Sequence, residues 1–243
     1  MRETEPVTDK EIPTASAPFH VGLTPATIVD AATELTRESH LFGWSLRDLA
    51  GRLEVAPSVI YHHVGGKDLL ARHVVERVLT QLKLPAETDW QGWFRELLHS
   101  GYPLICAHPG VAKWTLLHGP TFPVVAPIVD AGIAALRRAG FGAQTSLAYA
   151  TILNNAMLTI SIGDERLLHE ADGPRDHATM MEEFRRAAAQ STGAGALAED
   201  LLSPLTTNEH TAAEVRERYF RFVVETTLAG LEQVVSPDGG PHP

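Results

Sequence analysis

Residues 45–72 read SLRDLAGRLEVAPSVIYHHVGGKDLLAR, and their spacing decides the fold of the N-terminal part of the chain. Leu46, Leu49, Ala50 and Leu53 recur at i, i+3, i+4 and i+7, one face of a short helix. Ser45 stands before them as a cap, since its hydroxyl can accept a backbone N–H that the first turn leaves unpaired. Glu54-Val55-Ala56 is too short for anything but a turn. Pro57 suits the first helical position because its missing N–H is not needed there. The helix it opens runs to Val64 and is ended by Gly65-Gly66. Two short helices joined across so tight a turn form a helix-turn-helix unit.

The pattern extends in both directions. Upstream, Thr24 is a cap candidate and Pro25 a first-turn proline, and Ile28, Ala31, Ala32 and Leu35 line one face of the helix that follows. Downstream, Asp68 lies in a first turn, where a carboxylate suits the helix dipole. Leu70, Val74, Val78 and Leu82 then recur four apart until Pro85. Beyond it the spacing predicts helices over Trp90 to Cys106, Val111 to Leu117, Phe122 to Ala139, Gln144 to about Gly163, and Thr211 to Val235. The Gly-, Ala- and Thr-rich stretch Ser191 to His210 reads as a mobile loop. No segment sustains strand alternation. The expectation is an all-α chain in four parts: a flexible arm over 1–22; a three-helix helix-turn-helix domain over 23–72 with a linking helix to 84; a larger helical domain over 85–236; and a flexible tail over 237–243.

Composition narrows the function classes. Hydrophobic residues make up 44% of the 243, too many for a disordered chain. One cysteine, Cys106, leaves no intrachain disulfide, which fits a reducing cytosol. No apolar run nears the roughly 20 residues of a membrane helix, and Met1 to Pro18 lacks the order of a signal peptide, so no membrane partner and a cytoplasmic, nucleoid-associated location are expected. The net charge of -10 argues at first against nucleic acid. Its distribution softens the objection: His20 to Lys83 holds seven basic and seven acidic residues plus five histidines, and the acidity lies elsewhere. A neutral head of this kind binds DNA weakly outside its specific sites.

The second helix of a helix-turn-helix unit lies in the major groove and presents its N-terminal residues to base edges. Here Val59 and Ile60 can anchor that helix, which leaves Ser58, Tyr61, His62 and His63 to face DNA. Ser and His can hydrogen-bond bases or phosphates, and Tyr61 can donate to a phosphate while its ring meets a thymine methyl. Lys67, at the start of the next helix, is placed to meet the DNA backbone beside free N–H groups, and Arg47 could reach phosphate or guanine.

The run Leu49-Ala50-x-x-Leu53-x-Val55-x-x-x-x-Ile60-Tyr61-x-His63-Val64-x-x-Lys67-x-x-Leu70 resembles the DNA-binding head of the tetracycline-repressor (TetR) family over about residues 24 to 72. The resemblance implies that Arg47, Pro57, Ser58, Tyr61, His63 and Lys67 occupy DNA-contact positions. It also implies a homodimer joined through helices 144–163 and 211–235, and a repressor that binds inverted-repeat operator DNA and is released by a small-molecule effector. Glu54 departs from the family, which usually has glycine there. Ala107-His108, Ala112-Lys113, Pro120-Thr121, Gly140-Phe141 and Gly230-Leu231-Glu232 continue the likeness faintly toward the tetracycline-binding subgroup. Thr115, Lys83 and Leu97 stand where that subgroup has drug- or magnesium-contacting side chains, so a different and largely apolar effector is expected, with no cofactor.

Pockets for such ligands are lined by apolar and aromatic groups with a few polar ones, which makes Trp93, Leu97, Trp114, His118, Phe122, Thr151, Asn154 and Met157 ligand candidates. Asn154-Asn155 must find partners if buried. The spacings of His99, His108 and His118 do not suit a metal site. The rival to a regulator is an enzyme or carrier built on the same helical pocket. It lacks support in the sequence, which has no Gly-x-Ser-x-Gly, no phosphate-cradling glycine loop and no metal-ligand spacing. Catalytic and metal residues are therefore expected to be absent. The acidic pair Asp164-Glu165 reads as two solvated helix-end carboxylates.

Overall fold

The computed structural model describes residues 23–86, 89–119, 123–168, 177–206 and 208–235. Among them there is no strand. The flexible arm and tail expected at 1–22 and 237–243, and the ligand candidate Phe122, lie outside the described residues.

Three helices build the head: α1 Pro25–Glu38, α2 Leu46–Arg52 and α3 Pro57–Val64. Thr24 caps α1 in a reciprocal box with Thr27, and Ser45 caps α2 in the same way with Asp48. Each box satisfies two backbone N–H groups that would otherwise be orphaned. Ile28, Ala32, Leu49 and Ile60 are buried together with Leu70 and Val74 of α4, Lys67–Leu79. Trp44 closes this core and donates its indole N–H to the Thr36 hydroxyl at 3.0 Å.

The body comprises α5 Trp90–Cys106, α6 Val111–His118, α7 Ala126–Arg138, α8 Thr145–Leu168, α9 His177–Ala188, α10 Thr192–Leu197 and α11 Glu209–Val235. Phe94, Leu98, Leu136, Ile152, Phe220 and Leu228 form its centre, with α8 packed along α11. At Gly132 the backbone of α7 approaches so closely that a Cβ would lie 2.7 Å from the Tyr149 ring.

Four sequence expectations change. The linking helix expected to reach 84 ends at Leu79, with turns at Thr80 and Gln81. The helix expected from Phe122 begins as a 3-10 turn, Pro123–Val125, and becomes α-helical only at Ala126. Pro127 explains the late start, since its ring suits only the first turn of a helix. Ser191 to His210 is not an unstructured loop among its described residues. Ser191 caps α10, and a π turn Ala198–Leu202 and a 3-10 turn Pro204–Thr206 follow. Finally, α8 continues beyond Gly163 to Leu168.

Glu54 sits in the turn between α2 and α3 with φ of +54°, the one non-glycine residue with positive φ among those described. An L side chain there meets its own carbonyl, at a cost of about 1 kcal/mol. Glu54→Gly is therefore expected to stabilise the protein by about 0.5–1 kcal/mol, less than the full strain because glycine also loosens the unfolded chain. A thermal melt should rise by about 1–4 °C; an unchanged or lower melting point would show that the turn carries no strain.

Candidate nucleic-acid interface and ligand cavities

Helix α3 is fixed from behind and open in front. Ile60 and Val64 are buried in the head, whereas Pro57, Ser58, Tyr61, His62 and His63 are exposed. Tyr61 keeps 64% of its surface, which is unusual for so large a ring and leaves it free to touch a partner. Ala56, at the helix cap, makes no side-chain bond to the first turn, where Pro57 has no N–H and Val59 N–H donates to the Ala56 carbonyl at 3.0 Å. Arg47 of α2 is exposed on the same unit.

Lys67 departs from the expected outward pose. Its Nζ is buried, has no hydrogen-bond partner and lies over the Trp44 ring. Burial pushes the ammonium down to about 7, against the pull of Asp48 and Asp68. The indole face holds the cation in place of water. Reaching a phosphate therefore requires this side chain to leave Trp44.

The body contains an elongated cavity of about 380 Å3. Leu79 of α4 and Leu82 just beyond it close one end; Gly101 and Ile105 of α5, Leu116 of α6 and Leu153 of α8 lie along it. Of the residues expected at a ligand, Leu97, Asn154 and Met157 line this space. Trp93, Trp114, His118 and Thr151 do not. Trp93 is buried edge-on against Phe94. Trp114 is buried and stacked on His118 at 4.0 Å, and His118 bonds the Trp114 carbonyl. Thr151 is exposed on another face of α8. The aromatic side chains that do line it are Tyr102, Tyr149 and Phe220, none of them among the expected residues. The cavity is mainly aliphatic, and its α5 wall, Leu97-Leu98-Gly101-Tyr102-Ile105, follows the i, i+3, i+4 rule that could have found it. Gly101 matters there because a Cβ would lie 2.9 Å from Leu82.

A seam joins head and body. Leu41 N–H donates to the Pro109 carbonyl at 2.8 Å, and Gly110 N–H donates to Asp164 Oδ2 at 3.0 Å. Glu165 pairs with Lys113 at 2.8 Å and approaches His40 Nε2 at 3.6 Å. This corrects the reading of Asp164-Glu165 as solvated helix-end carboxylates. The helix runs on past them, and Asp164 is only 4% exposed. Burial, opposed by the Gly110 hydrogen bond, raises its carboxyl to about 7. A contact spanning more than fifty residues leaves no local mark in the sequence.

The three histidines weighed for a metal serve separate places. His99 approaches Glu225, His108 bonds the Leu104 carbonyl, and His118 stacks on Trp114. Among the described residues no three metal-ligating side chains cluster. No single described helix is long and apolar enough to cross a membrane.

No family model matches this sequence. It is 27% identical over 169 residues to an HTH-type transcriptional regulator of Saccharopolyspora erythraea, a match covering 67% of this chain and 70% of that one. Its fold is similar to that of apo ActR from Streptomyces coelicolor, with a TM-score of 0.62 and 22% identity over 88% of this chain and 98% of the other. ActR in complex with actinorhodin gives a TM-score of 0.62 at 21% identity, covering 90% of this chain and 99% of the other. A TetR variant from Acinetobacter baumannii in complex with minocycline gives 0.64 at 20% identity, covering 91% and 99%.

The buried Asp164 makes a test of the seam. A raised carboxyl in the folded state means that, between pH 4 and 7, the unfolded chain ionises and the folded chain does not. Stability from this group is therefore lost as pH rises through that window, and the penalty stands in full above about pH 7. Asn at this position keeps an oxygen for Gly110 N–H without the charge. Asp164→Asn is expected to raise the melting temperature by about 3–6 °C at pH 8 and to change it little at pH 4; the same shift at both pH values would remove ionisation as the cause.

Proposed function

Because this chain has the fold of the TetR family of regulators, we propose that it is a ligand-responsive transcriptional regulator, a repressor that binds an inverted-repeat operator as a homodimer and leaves it when a small, largely apolar effector fills the body. The proteins it is similar to are regulators, not enzymes. The observation that carries the reading is helix α3: anchored by Ile60 and Val64, with Pro57, Ser58, Tyr61, His62 and His63 all turned to solvent. A globular head has no structural need for such a face, and a major groove does.

Dimerisation is supported by the outer faces of two helices. Leu147 and Leu158 of α8 and Phe222 and Val234 of α11 are exposed apolar side chains on packed neighbours. Two copies of that pair form a four-helix bundle, and a two-fold dimer offers two α3 helices to half-sites one DNA turn apart, about 34–36 Å. Neutral, aliphatic cavity walls favour an apolar effector. Its route to DNA is short. The cavity ends on Leu79 and Leu82 at the end of α4, and that helix begins at Lys67 in the head. A ligand pressing on this end and on Leu116 of α6 changes the angle of the heads. Coupling of this kind is typically 1–3 kcal/mol, or about 5–150-fold in operator affinity.

Selection of random duplex DNA through several rounds with the full chain should enrich an inverted repeat. Tyr61→Ala should weaken its binding by about 10-fold or more. No enrichment at low salt from a folded dimer would overturn the reading. Lys67 adds a pH signature. A phosphate partner favours its charged form, so the complex takes up a proton, and operator affinity should fall as pH rises above about 7. Lys67→Arg should flatten that fall, because a guanidinium stays charged. An equal slope in both proteins would mean that Lys67 does not reach the backbone.

A further inference from the structure

A second cavity, of about 540 Å3, lies on the other side of Tyr102, Ile160 and Phe220, the three residues it shares as a wall with the first. Its floor is apolar, with Ile162 of α8, Val215 of α11, and Leu201, Leu202 and Leu205 from the helical turns after α10. Its charged groups are mainly acidic. Asp164, Glu209, Glu214 and Glu217 line it; Arg216 on the wall is paired with Glu209, and Arg221 beyond it is paired with Glu217 at 2.7 Å. His210 is the remaining titratable side chain of basic character on the wall, and it pairs with Glu214 at 3.3 Å. Tyr102 and Cys106, the other ionisable groups, are pushed upward by burial and stay neutral. Asp164 differs from the three glutamates in being almost wholly buried at the back of the space.

We propose that this second cavity is a separate binding site for a hydrophobic amine, with the ammonium against Asp164 and the apolar body on Leu201, Leu202 and Phe220. The volume suits a drug-sized molecule, which usually occupies about 300–1,000 Å3. The charge balance selects its sign: a carboxylate-bearing ligand meets Asp164 and Glu214, which no permanent cation offsets, whereas an amine relieves them. Burial sets the anchoring point, because an ion pair in a water-poor recess is screened far less than one at the rim. The first cavity offers no carboxylate, so the two spaces divide ligands by charge.

The site also reaches the seam. The carboxylate that would hold the amine is the one that accepts the Gly110 N–H at the start of α6. An amine competing for Asp164 loosens that end of α6, so occupancy of this cavity reports to the head without touching the first one. The binding claim stands independently of any operator, and its test uses no DNA.

The test is calorimetric titration of the full chain with 1-naphthylmethylamine, its neutral isostere 1-naphthalenemethanol, and 1-naphthoic acid. The amine is expected to bind at least 10-fold more tightly than the other two. Asp164→Asn should remove that preference and leave the alcohol unchanged. Leu202→Trp, which fills the second cavity from exposed turns and spares the seam, should abolish amine binding, whereas Leu153→Trp in the first cavity should not. Circular dichroism confirms that each variant is folded. Equal binding of amine and alcohol, an amine preference that survives Asp164→Asn, or amine binding lost with Leu153→Trp and kept with Leu202→Trp would each overturn the proposal.

Discussion

Gly110 is the point on which the two halves of the molecule depend. It begins α6 with φ of +90°, a conformation that suits glycine, and it has no room for a side chain. A Cβ there would lie 2.6 Å from the His40 ring and 2.9 Å from Leu41. The head can therefore approach the body only because this position is bare. Once there, the head is held by the bond from Leu41 to Pro109 on one side of the glycine, while Asp164 holds the glycine itself from the other. The loop between α1 and α2, the start of α6 and the far part of α8 thus meet in one place.

That meeting gives each cavity its own lever. The first touches α6 at Leu116 and the end of α4 at Leu79, so it acts on the rods that run toward the head. The second touches Asp164, so it acts on the pin that fixes the start of α6. Between them stand Tyr102, Ile160 and Phe220, of which Phe220 is fully buried. A packed partition of this kind resists gradual deformation, because close-packed interiors respond to an added ligand by shifting as units. The apolar character of one space and the acidic character of the other mean that a single molecule would rarely satisfy both.

The helices were legible in the sequence wherever one residue type forces one conformation. Thr24-Pro25, Ser45 and Pro57 mark starts, and each start is found where it was read. The exposed face of α3 followed from the same short-range logic, because Ile60 and Val64 leave their neighbours nowhere to go but outward. Glu54 was legible as a departure, and its positive φ shows why glycine would be the easier residue. What could not be read depends on chain segments far apart. Trp93 and Trp114 were ligand candidates because they are large and aromatic, yet burial against Phe94 and stacking on His118 occupy them elsewhere. Lys67 has the right place on its helix, but Trp44, twenty-three residues earlier, decides where its ammonium rests.

The energies of the seam are matched to what a small ligand can supply. A neutral hydrogen bond adds about 0.5–1.5 kcal/mol net, and an exposed or half-exposed ion pair such as Lys113 with Glu165 adds less than about 1. Asp164 works against its own bond, since the buried charge costs stability above about pH 7. These polar contacts add a few kcal/mol at most, beside the apolar burial of Leu41 and Val111 in the core that head and body share. A ligand can shift an equilibrium only by its difference in affinity for the two states. Turning a 99:1 population to its reverse needs about 5.5 kcal/mol of difference. A tighter joint, with Asp164 neutral and a second pair in place of His40 and Glu165, would make the protein more stable and, on the function proposed above, less responsive to a ligand.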